Sequence, residues 1–170
     1  RKKKHQKTEQ DFFHAHPFLA ARASSIISSE GGSTMEERIE AILHRLEERF
    51  PDARLLLEFR NPFELLIATI LAAQARDEKV NEVTRELFVA FPTPQALAEA
   101  PEEEVAKLVQ PLNYARKKAA FIKKVSQELV ARFGGEVPAS LEELVQLEGV
   151  GRKTANVVLA NAFGIPAIPV

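Results

Sequence analysis

The sequence contains no cysteine and no tryptophan, and its 170 residues include only one methionine and one tyrosine. Without cysteine, neither a disulfide nor a thiolate metal site can form within these residues. The four histidines, at positions 5, 14, 16 and 44, do not have the spacing of metal ligands. The longest largely apolar run, residues 65–73, is too short to cross a membrane. The composition, 45% hydrophobic and 28% charged, suits one globular domain with or without a disordered end.

A net charge of −1 neither indicates nor excludes a nucleic-acid partner, so the distribution of charge matters more than its sum. Residues 36–48 and 99–104 are rich in acidic side chains. One later segment collects basic residues, namely Arg116, Lys117, Lys118, Lys123, Lys124 and Arg132. Such a run is either a solvated helix face or, beside a phosphate-binding motif, one flank of a DNA cleft. Charge alone leaves both interpretations open.

The first 34 residues differ in character from the rest of the chain. They open on a basic run at residues 1–4, end in a segment rich in serine and glycine, and lack the apolar core of a signal peptide. The only methionine, Met35, directly precedes a helical pattern. We therefore expect residues 1–34 to be a disordered leader or a non-native extension, with a transit peptide as the alternative.

Apolar residues recur with the period of a helix along most of the remaining chain. Helices are expected at about 36–50, from Pro62, after Asp77 as N-cap, at about 95–100, 101–109 and 114–133, and in a final pair. Gly134 and Gly135 are expected to end the long helix. No segment alternates with the period of a strand, so the pattern predicts an all-α domain of about eight helices.

The most informative stretch is Gly149-Val150-Gly151, which joins two short apolar helical segments. Two glycines one residue apart permit backbone angles that residues with a Cβ avoid. The N–H groups of such a turn can point outward together, beside the positive dipole end of the next helix. A turn of this kind holds a phosphate through the backbone and positions a protein on DNA without reading its sequence. The alternative is a tight inter-helix turn with no ligand.

The stretch Gly151-Arg152-Lys153-Thr154 is also close to the end of a nucleotide-binding P-loop. That motif needs glycine directly before lysine, and it needs a strand before the loop. Here Arg152 intervenes, and the segment from Ser140 to Glu143 has the pattern of a capping box that opens a helix. Nucleotide binding is therefore excluded.

Three stretches together resemble the endonuclease III family of DNA repair glycosylases. They are residues 61–81, which include Asn61-Pro62-Phe63 and Ala73-Gln74-Ala75, residues 135–138, and residues 147–164 with the hairpin. The run Gly-Val-Gly-Arg-Lys-Thr-Ala-Asn-Val-Val in the last stretch is the most specific. The resemblance covers about residues 36–170.

The resemblance implies a helix-hairpin-helix DNA glycosylase fold, in which a six-helix domain is inserted into a second domain built from both chain ends. Residues 35–53 would then be the N-terminal helix of the split domain, and 54–165 the six-helix domain with its hairpin at about 141–163. Residues 166–170 would start a C-terminal part. In this family that part usually carries a four-cysteine iron–sulfur (4Fe–4S) cluster, for which the present chain has no ligands.

The resemblance also implies a function. Members of the family remove oxidised pyrimidines from duplex DNA and cut the strand at the resulting abasic site. We therefore expect a base-excision repair glycosylase with abasic-site (AP) lyase activity, whose partner is duplex DNA with a damaged pyrimidine or an abasic site. We expect a monomer without membrane association, in the bacterial cytoplasm near the nucleoid. The alternative is a non-catalytic helix-hairpin-helix DNA-binding module.

Lys153 is the candidate catalytic residue. Excision by an amine requires an unprotonated nucleophile, which attacks the sugar C1′ and forms a Schiff base that permits β-elimination. An ordinary lysine is almost wholly protonated at neutral pH, because its pKa is about 10.4. A position in the first turn of a helix favours the neutral amine. From spacing alone, the alternative is that Lys153 only binds a phosphate.

Gln74 stands where the family inserts a glutamine into the duplex to fill the space left by the extruded base. Without the resemblance it would be read as a polar residue at a helix end. Glu148 replaces the commoner proline, and its charge should weaken phosphate binding slightly. The residues assigned to DNA binding, besides Gln74, are Gly149, Val150, Gly151, Arg152 and Thr154.

The family also uses an aspartate shortly after the hairpin, behind a run that residues 168–170 match. That aspartate would fall immediately after Val170. We therefore expect a C-terminally truncated chain, whose own activity depends on whether the reaction needs that carboxylate.

Overall fold

A computed structural model describes residues 34–169, and these residues form eight α-helices and no strand, as the periodicity predicts. The expectations for residues 1–33 and for Val170 lie outside the described residues. The helices are α1 (Thr34–Arg49), α2 (Pro62–Leu71), α3 (Asp77–Ala90), α4 (Pro94–Glu99), α5 (Glu102–Leu108), α6 (Ala115–Phe133), α7 (Leu141–Leu144) and α8 (Arg152–Ala162).

The chain divides into two compact units between Arg54 and Leu55. The described part of the first unit is α1 and the short segment after it. The second unit contains the other helices, six of them with six residues or more and α7 with a single turn. None of the helices in residues 34–169 has the combination of length and apolar composition that crossing a bilayer requires.

Helix α2 lies at the centre of the second unit. Its start follows the predicted chemistry, because Pro62 occupies the first turn and the Asn61 side chain accepts a hydrogen bond of 2.9 Å from the Glu64 N–H. Eight of its ten residues are buried, and it packs against α3, α6 and α8. The buried Glu64 carboxylate is paired with the Arg60 guanidinium at 2.7 Å. A helix buried on all sides provides a rigid support for the loop that follows it.

Helix α6 forms the second support and packs against α4, α5 and α2. Ile122, Val125 and Leu129 are completely buried along its inner face. The helix ends at Gly134, whose φ of 64° is left-handed, and the Gly135 N–H donates to the Leu129 carbonyl at 3.0 Å. This is the glycine-terminated helix end that the Gly-Gly pair predicts.

The prediction that Asp77 caps α3 is wrong. Asp77 is the first helical residue, and the N-cap is Arg76 in an extended conformation without a side-chain hydrogen bond. The loop before it is tighter than expected, because the Ala75 N–H already donates to the Ala72 carbonyl at 3.1 Å. Asp77 instead places its charge in the first turn, where the helix dipole favours an acid.

Helices α7 and α8 form a hairpin that packs on α2 through α8. The Ser140 hydroxyl accepts a hydrogen bond of 3.4 Å from the Glu143 N–H, as the capping pattern predicts. That hydroxyl donates in turn to the Glu142 carboxylate at 2.9 Å. Gly149 in the turn between α7 and α8 lines one pocket with Ala73 and Gln74 of the loop after α2.

Candidate nucleic-acid interface

The turn between α7 and α8 contains one glycine that the backbone requires. Gly149 has a φ of +75°, and a Cβ at this position would lie 3.2 Å from Cδ1 of Phe121. Val150 turns its side chain into the core, and its N–H donates to the Leu147 carbonyl at 3.1 Å. The turn is thus closed by an internal hydrogen bond and anchored by a buried valine.

Gly151 has a different role from the one expected. The sequence predicted that both glycines supply angles forbidden to other residues, but Gly151 is the N-cap of α8 with φ −84° and ψ 170°. This is extended backbone that any residue adopts. No described atom lies within 4 Å of the position of its missing Cβ. The fold therefore leaves open space in front of Gly151 that the backbone itself does not need.

The start of α8 has the properties of an anion site. No side chain caps this helix start, and the first turn of α8 (Arg152–Ala162) contains no acidic residue. It contains the cations Arg152 and Lys153 instead, which the helix dipole disfavours at this end. Both side chains are exposed, and Thr154 is half-buried. Free N–H groups at a helix start together with two cations favour a bound phosphate.

Lys153 lines a pocket of about 610 Å³ within the second unit. The pocket also contains Gln74 and Thr154, so the structure brings three predicted site residues to one place, together with Asp77, which the sequence assigned only to a helix cap. Asp77 is the one acidic side chain among the described residues that line it. The remaining walls are Leu55, Leu57, Thr69, Ala72, Ala73 and Val157. This arrangement places an amine, a carboxylate and an amide around one cavity of small-molecule size.

Gln74 occupies the tip of the loop between α2 and α3 in a left-handed conformation, with φ 55°. Its carbonyl oxygen accepts a hydrogen bond of 3.2 Å from Asn113 Nδ2. Tyr114, the residue after Asn113, also has a positive φ of 60°, and its side chain is 63% exposed. Left-handed conformations are uncommon outside glycine and concentrate at functional loops. Sequence reasoning assigned no role to Asn113 or Tyr114, although Tyr114 is the one tyrosine of the chain.

The basic run of α6 is not a uniform solvated face. Lys118 is only 5% exposed, and burial lowers the pKa of its amine. Lys123 donates to the Ala100 carbonyl at 2.5 Å, and Arg132 donates to the Gln146 side chain at 2.6 Å. Lys118 therefore fits neither a solvated face nor an exposed flank, because the turn of the helix carries this residue to the inner side.

Lys124 and Glu128 of α6 hold the acidic residue of the hairpin turn. The Glu148 carboxylate is paired with Lys124, and this hydrogen bond raises the pKa of the Lys124 amine. The Glu148 N–H donates to the Glu128 carboxylate at 3.0 Å. The negative charge of Glu148 is thereby directed toward a cation of α6.

Among the described residues, no group of three or more histidine, cysteine, aspartate or glutamate side chains is placed to hold a metal ion. Taken together, the candidate interface consists of four parts: the hairpin turn, the start of α8, the Lys153 pocket and the loops that carry Gln74 and Tyr114. Each part offers a backbone or side-chain group suited to an anion or a planar base.

Comparisons with known proteins show what the chain is similar to. Residues 67–168 match the family model described as the HhH-GPD superfamily base excision DNA repair protein. The chain is 44% identical over 135 residues to endonuclease III of Synechocystis sp., covering 79% of this chain and 62% of that protein. It is 45% identical over 134 residues to endonuclease III of Escherichia coli, covering 79% of this chain and 63% of that protein. The chain thus spans less than two thirds of the length of these relatives.

The chain is also similar to solved structures of DNA glycosylases. The chain is similar to a trapped endonuclease III–DNA covalent intermediate in an estranged-adenine complex, with a TM-score of 0.75 and 46% identity, over 79% of this chain and 63% of that chain. A thermostable thymine-DNA glycosylase has a TM-score of 0.74 at 22% identity, over 81% of this chain and 65% of that chain, which supports the fold alone.

Proposed function

The chain belongs to the HhH-GPD superfamily of base excision DNA repair proteins, and from this premise we propose that it is a DNA glycosylase with AP-lyase activity. Its substrates would be oxidised pyrimidines in duplex DNA, and its nucleophile Lys153. The observation that carries the proposal is the shared pocket, which Lys153, Gln74 and Asp77 line together. Lys153 follows directly after the turn of the hairpin in the chain.

The chemistry begins with the neutral amine of Lys153. Its nitrogen attacks the sugar C1′, the bond from C1′ to the base breaks, and the base leaves with a proton. As the C1′–O4′ bond of the sugar breaks, the second proton of the nitrogen passes to O4′ and an imine remains. The protonated imine then permits β-elimination, in which C2′ loses a proton and the C3′–O bond to the 3′ phosphate breaks. The Asp77 carboxylate lines this pocket and is the group available to accept and pass on a proton. A related endonuclease III has been trapped as a covalent intermediate with DNA, which supports this type of step.

The remaining residues would hold the duplex. The N–H groups at Gly149, Gly151 and the start of α8 face one phosphate, with Arg152 and Thr154 beside it. Val150 contributes through its packing, because its side chain is buried and its N–H already donates to Leu147.

The loop residues would act on the base stack. Gln74 is exposed at a loop tip and would fill the gap that an extruded base leaves. Tyr114 would stack on the neighbouring base, because an exposed ring offers a surface that any base accepts. Both residues lie on loops supported by buried helices.

We also propose that the chain acts as a monomer, since one chain supplies all of these residues, and that it works in the bacterial cytoplasm near the nucleoid. The two relatives described above come from bacteria. A 4Fe–4S cluster is held by cysteine thiolates, and this sequence has no cysteine. The cluster therefore does not fit the residues present, and none of the proposed chemistry passes through it.

The alternative function is a DNA-binding module without catalysis. The turn, the start of α8 and the two loops would bind a duplex whether or not Lys153 reacts. The two functions differ in one property, which is whether a covalent bond to DNA forms.

Borohydride trapping tests the proposal. The chain is incubated with a duplex that bears one abasic site, and the imine is reduced to a stable adduct. We expect an adduct that Lys153→Ala abolishes. The matched control is Lys107→Ala, which removes an exposed lysine of α5 outside the Lys153 pocket and should retain the adduct.

Three other outcomes are informative. An adduct that persists in Lys153→Ala would show that another amine reacts. Salt-sensitive binding without any adduct would favour the DNA-binding module. Absence of both binding and adduct would contradict both functions.

A further inference from the structure

One buried cation has no part in the chemistry proposed above. Lys118 lies on the inner side of α6 and is only 5% exposed. Its Nζ has no hydrogen-bond partner among the described residues. Buried donors are almost always paired in folded proteins, because an unpaired buried donor has lost its bonds to water. The fold therefore holds a donor without supplying its acceptor.

Lys118 lines a pocket that could admit the missing acceptor. This pocket has a volume of about 370 Å³, within the range of roughly 300–1,000 Å³ found for small-molecule sites. It lies between α2, the start of α6 and the hairpin. Its other lining residues are Thr69, Ile70, Ala73, Gln74, Tyr114, Lys117, Phe121, Gly149 and Thr154.

The walls of this pocket suit a planar base better than a phosphate. Two aromatic side chains, Tyr114 and Phe121, line it and are partly exposed, and Ile70 adds apolar surface. The Thr69 hydroxyl is already used, because it donates to the Leu65 carbonyl at 2.7 Å. Besides the exposed Lys117, the pocket offers one buried cationic donor, Lys118 Nζ, and a base needs only stacking surface and one or two polar contacts.

The position of Gln74 indicates which base of the duplex would enter the Lys118 pocket. Gln74 lines both the Lys118 pocket and the Lys153 pocket. In the proposed function, the nucleotide under attack occupies the Lys153 pocket, and Gln74 fills the gap that it leaves. The base left without a pairing partner then faces the other side of Gln74, toward Lys118.

We propose that the Lys118 pocket binds the unpaired base opposite the attacked nucleotide, with Lys118 Nζ donating a hydrogen bond to a carbonyl oxygen of that base. This inference rests on the proposed function. Guanine and thymine present a carbonyl oxygen in the major groove where adenine and cytosine present an amino group. The lysine amine has only donors, so it can donate a hydrogen bond to the carbonyl oxygen of guanine or thymine. At adenine or cytosine it meets an amino group, which is also a donor. Lys118 is thus a specificity-determining residue for the opposite base.

The test compares four duplexes that differ only in the base opposite a tetrahydrofuran abasic analogue. Binding by the full chain is measured by fluorescence anisotropy. We expect duplexes with guanine or thymine opposite the analogue to bind about tenfold tighter than those with adenine or cytosine, as a hydrogen bond from a charged donor allows. Lys118→Met should remove this preference and retain the affinity for adenine and cytosine.

Two controls accompany the substitution. Lys107→Met removes an exposed lysine of α5 and should keep the preference. Thermal unfolding establishes that Lys118→Met is folded. The wild-type measurement stands without any variant, because equal affinity for all four duplexes overturns the inference by itself.

The outcomes separate this inference from the proposed function. If the chain binds no abasic duplex more tightly than an undamaged duplex, the proposed function fails and the inference fails with it. If the chain selects abasic duplexes but ignores the opposite base, only the inference fails. A base preference that persists in Lys118→Met would show that another residue reads the base.

Discussion

The side chain of Asn113 ties two loops together by donating a hydrogen bond of 3.2 Å from Nδ2 to the carbonyl oxygen of Gln74. The partners are 39 residues apart in the sequence. Gln74 and Tyr114, the residue after Asn113, are the two non-glycine residues with positive φ in residues 34–169. The bond therefore joins the two left-handed turns that carry the candidate base-contacting side chains.

Replacing Asn113 by alanine should loosen this arrangement. We expect the free energy of unfolding to fall by about 0.5–1 kcal/mol, because the bond is exposed to water. Affinity for a duplex with an abasic analogue should fall several-fold, since the loops are no longer pre-organised. Asn161→Ala is the matched control, because it removes an exposed bond of 2.8 Å to the Val157 carbonyl. Equal loss of affinity in both variants would contradict the prediction.

Gln74 should show opposite effects on stability and on binding. Its φ of 55° costs a residue with a side chain about 1–2 kcal/mol, and glycine relieves that cost. Gln74→Gly is therefore expected to raise the free energy of unfolding, measured by urea denaturation, while it weakens binding to abasic duplexes. Gln74→Ala removes the same side chain without relieving the backbone and should weaken binding at unchanged or lower stability. Binding that survives in both variants would show that the glutamine fills no gap.

The two glycines of the hairpin turn should respond differently to alanine. Gly149→Ala places a Cβ at a φ of +75° and 3.2 Å from Phe121, so we expect a loss of about 1–2 kcal/mol in the free energy of unfolding. Gly151→Ala meets open space at an ordinary φ and should leave stability within about 0.5 kcal/mol of the wild type. It should nevertheless weaken duplex binding, because the Cβ points where a phosphate would approach. Unchanged binding by Gly151→Ala would argue against a phosphate at this turn.

These positions show what the sequence could predict. Asn61, Pro62 and Gly134 act through local chemistry, so the ends of α2 and α6 follow from the residue types. The left-handed residue Gln74 accepts a hydrogen bond from a partner 39 residues away, which no local pattern contains. The Asp77 cap was wrong because the loop before it closes more tightly than its residues indicate.

The candidate site likewise contains residues that the sequence could predict and residues that only the tertiary structure brings together. The family resemblance predicted roles for Lys153 and the hairpin, whose residues are contiguous in the chain. It did not identify Tyr114, which reaches the interface only through tertiary structure. A lysine in a basic run also has the pattern of a solvated residue, and only the packing of α6 shows that Lys118 is buried.

Glu148 should reduce the affinity of the turn for DNA, and Lys124 should limit that effect. The two side chains form an ion pair, so Lys124→Met leaves a carboxylate unpaired beside the proposed phosphate. We expect Lys124→Met to lower duplex affinity more than Lys107→Met, which removes an exposed lysine without this pairing. Glu148→Gln should raise affinity a few-fold at low salt, and the gain should shrink as salt screens the charge. In the double variant the penalty of Lys124→Met should largely disappear, and a strictly additive result would contradict the coupling.

The buried amine of Lys118 should make stability depend on pH in a defined direction. Burial lowers its pKa from the usual 10.5, so the folded state binds this proton more weakly than the unfolded chain does. Protonation therefore opposes folding below the lowered pKa, and this opposition fades as the pH rises toward and past 10.5. Lys118→Met should exceed the wild type at pH 7 by about 1–3 kcal/mol in the free energy of unfolding, the cost of an unpaired buried donor. The difference in the free energy of unfolding between Lys118→Met and the wild type, measured by urea titration, should narrow as the pH approaches 10.5. A difference that stays constant with pH would show that the stabilisation comes from packing and not from removal of the charge.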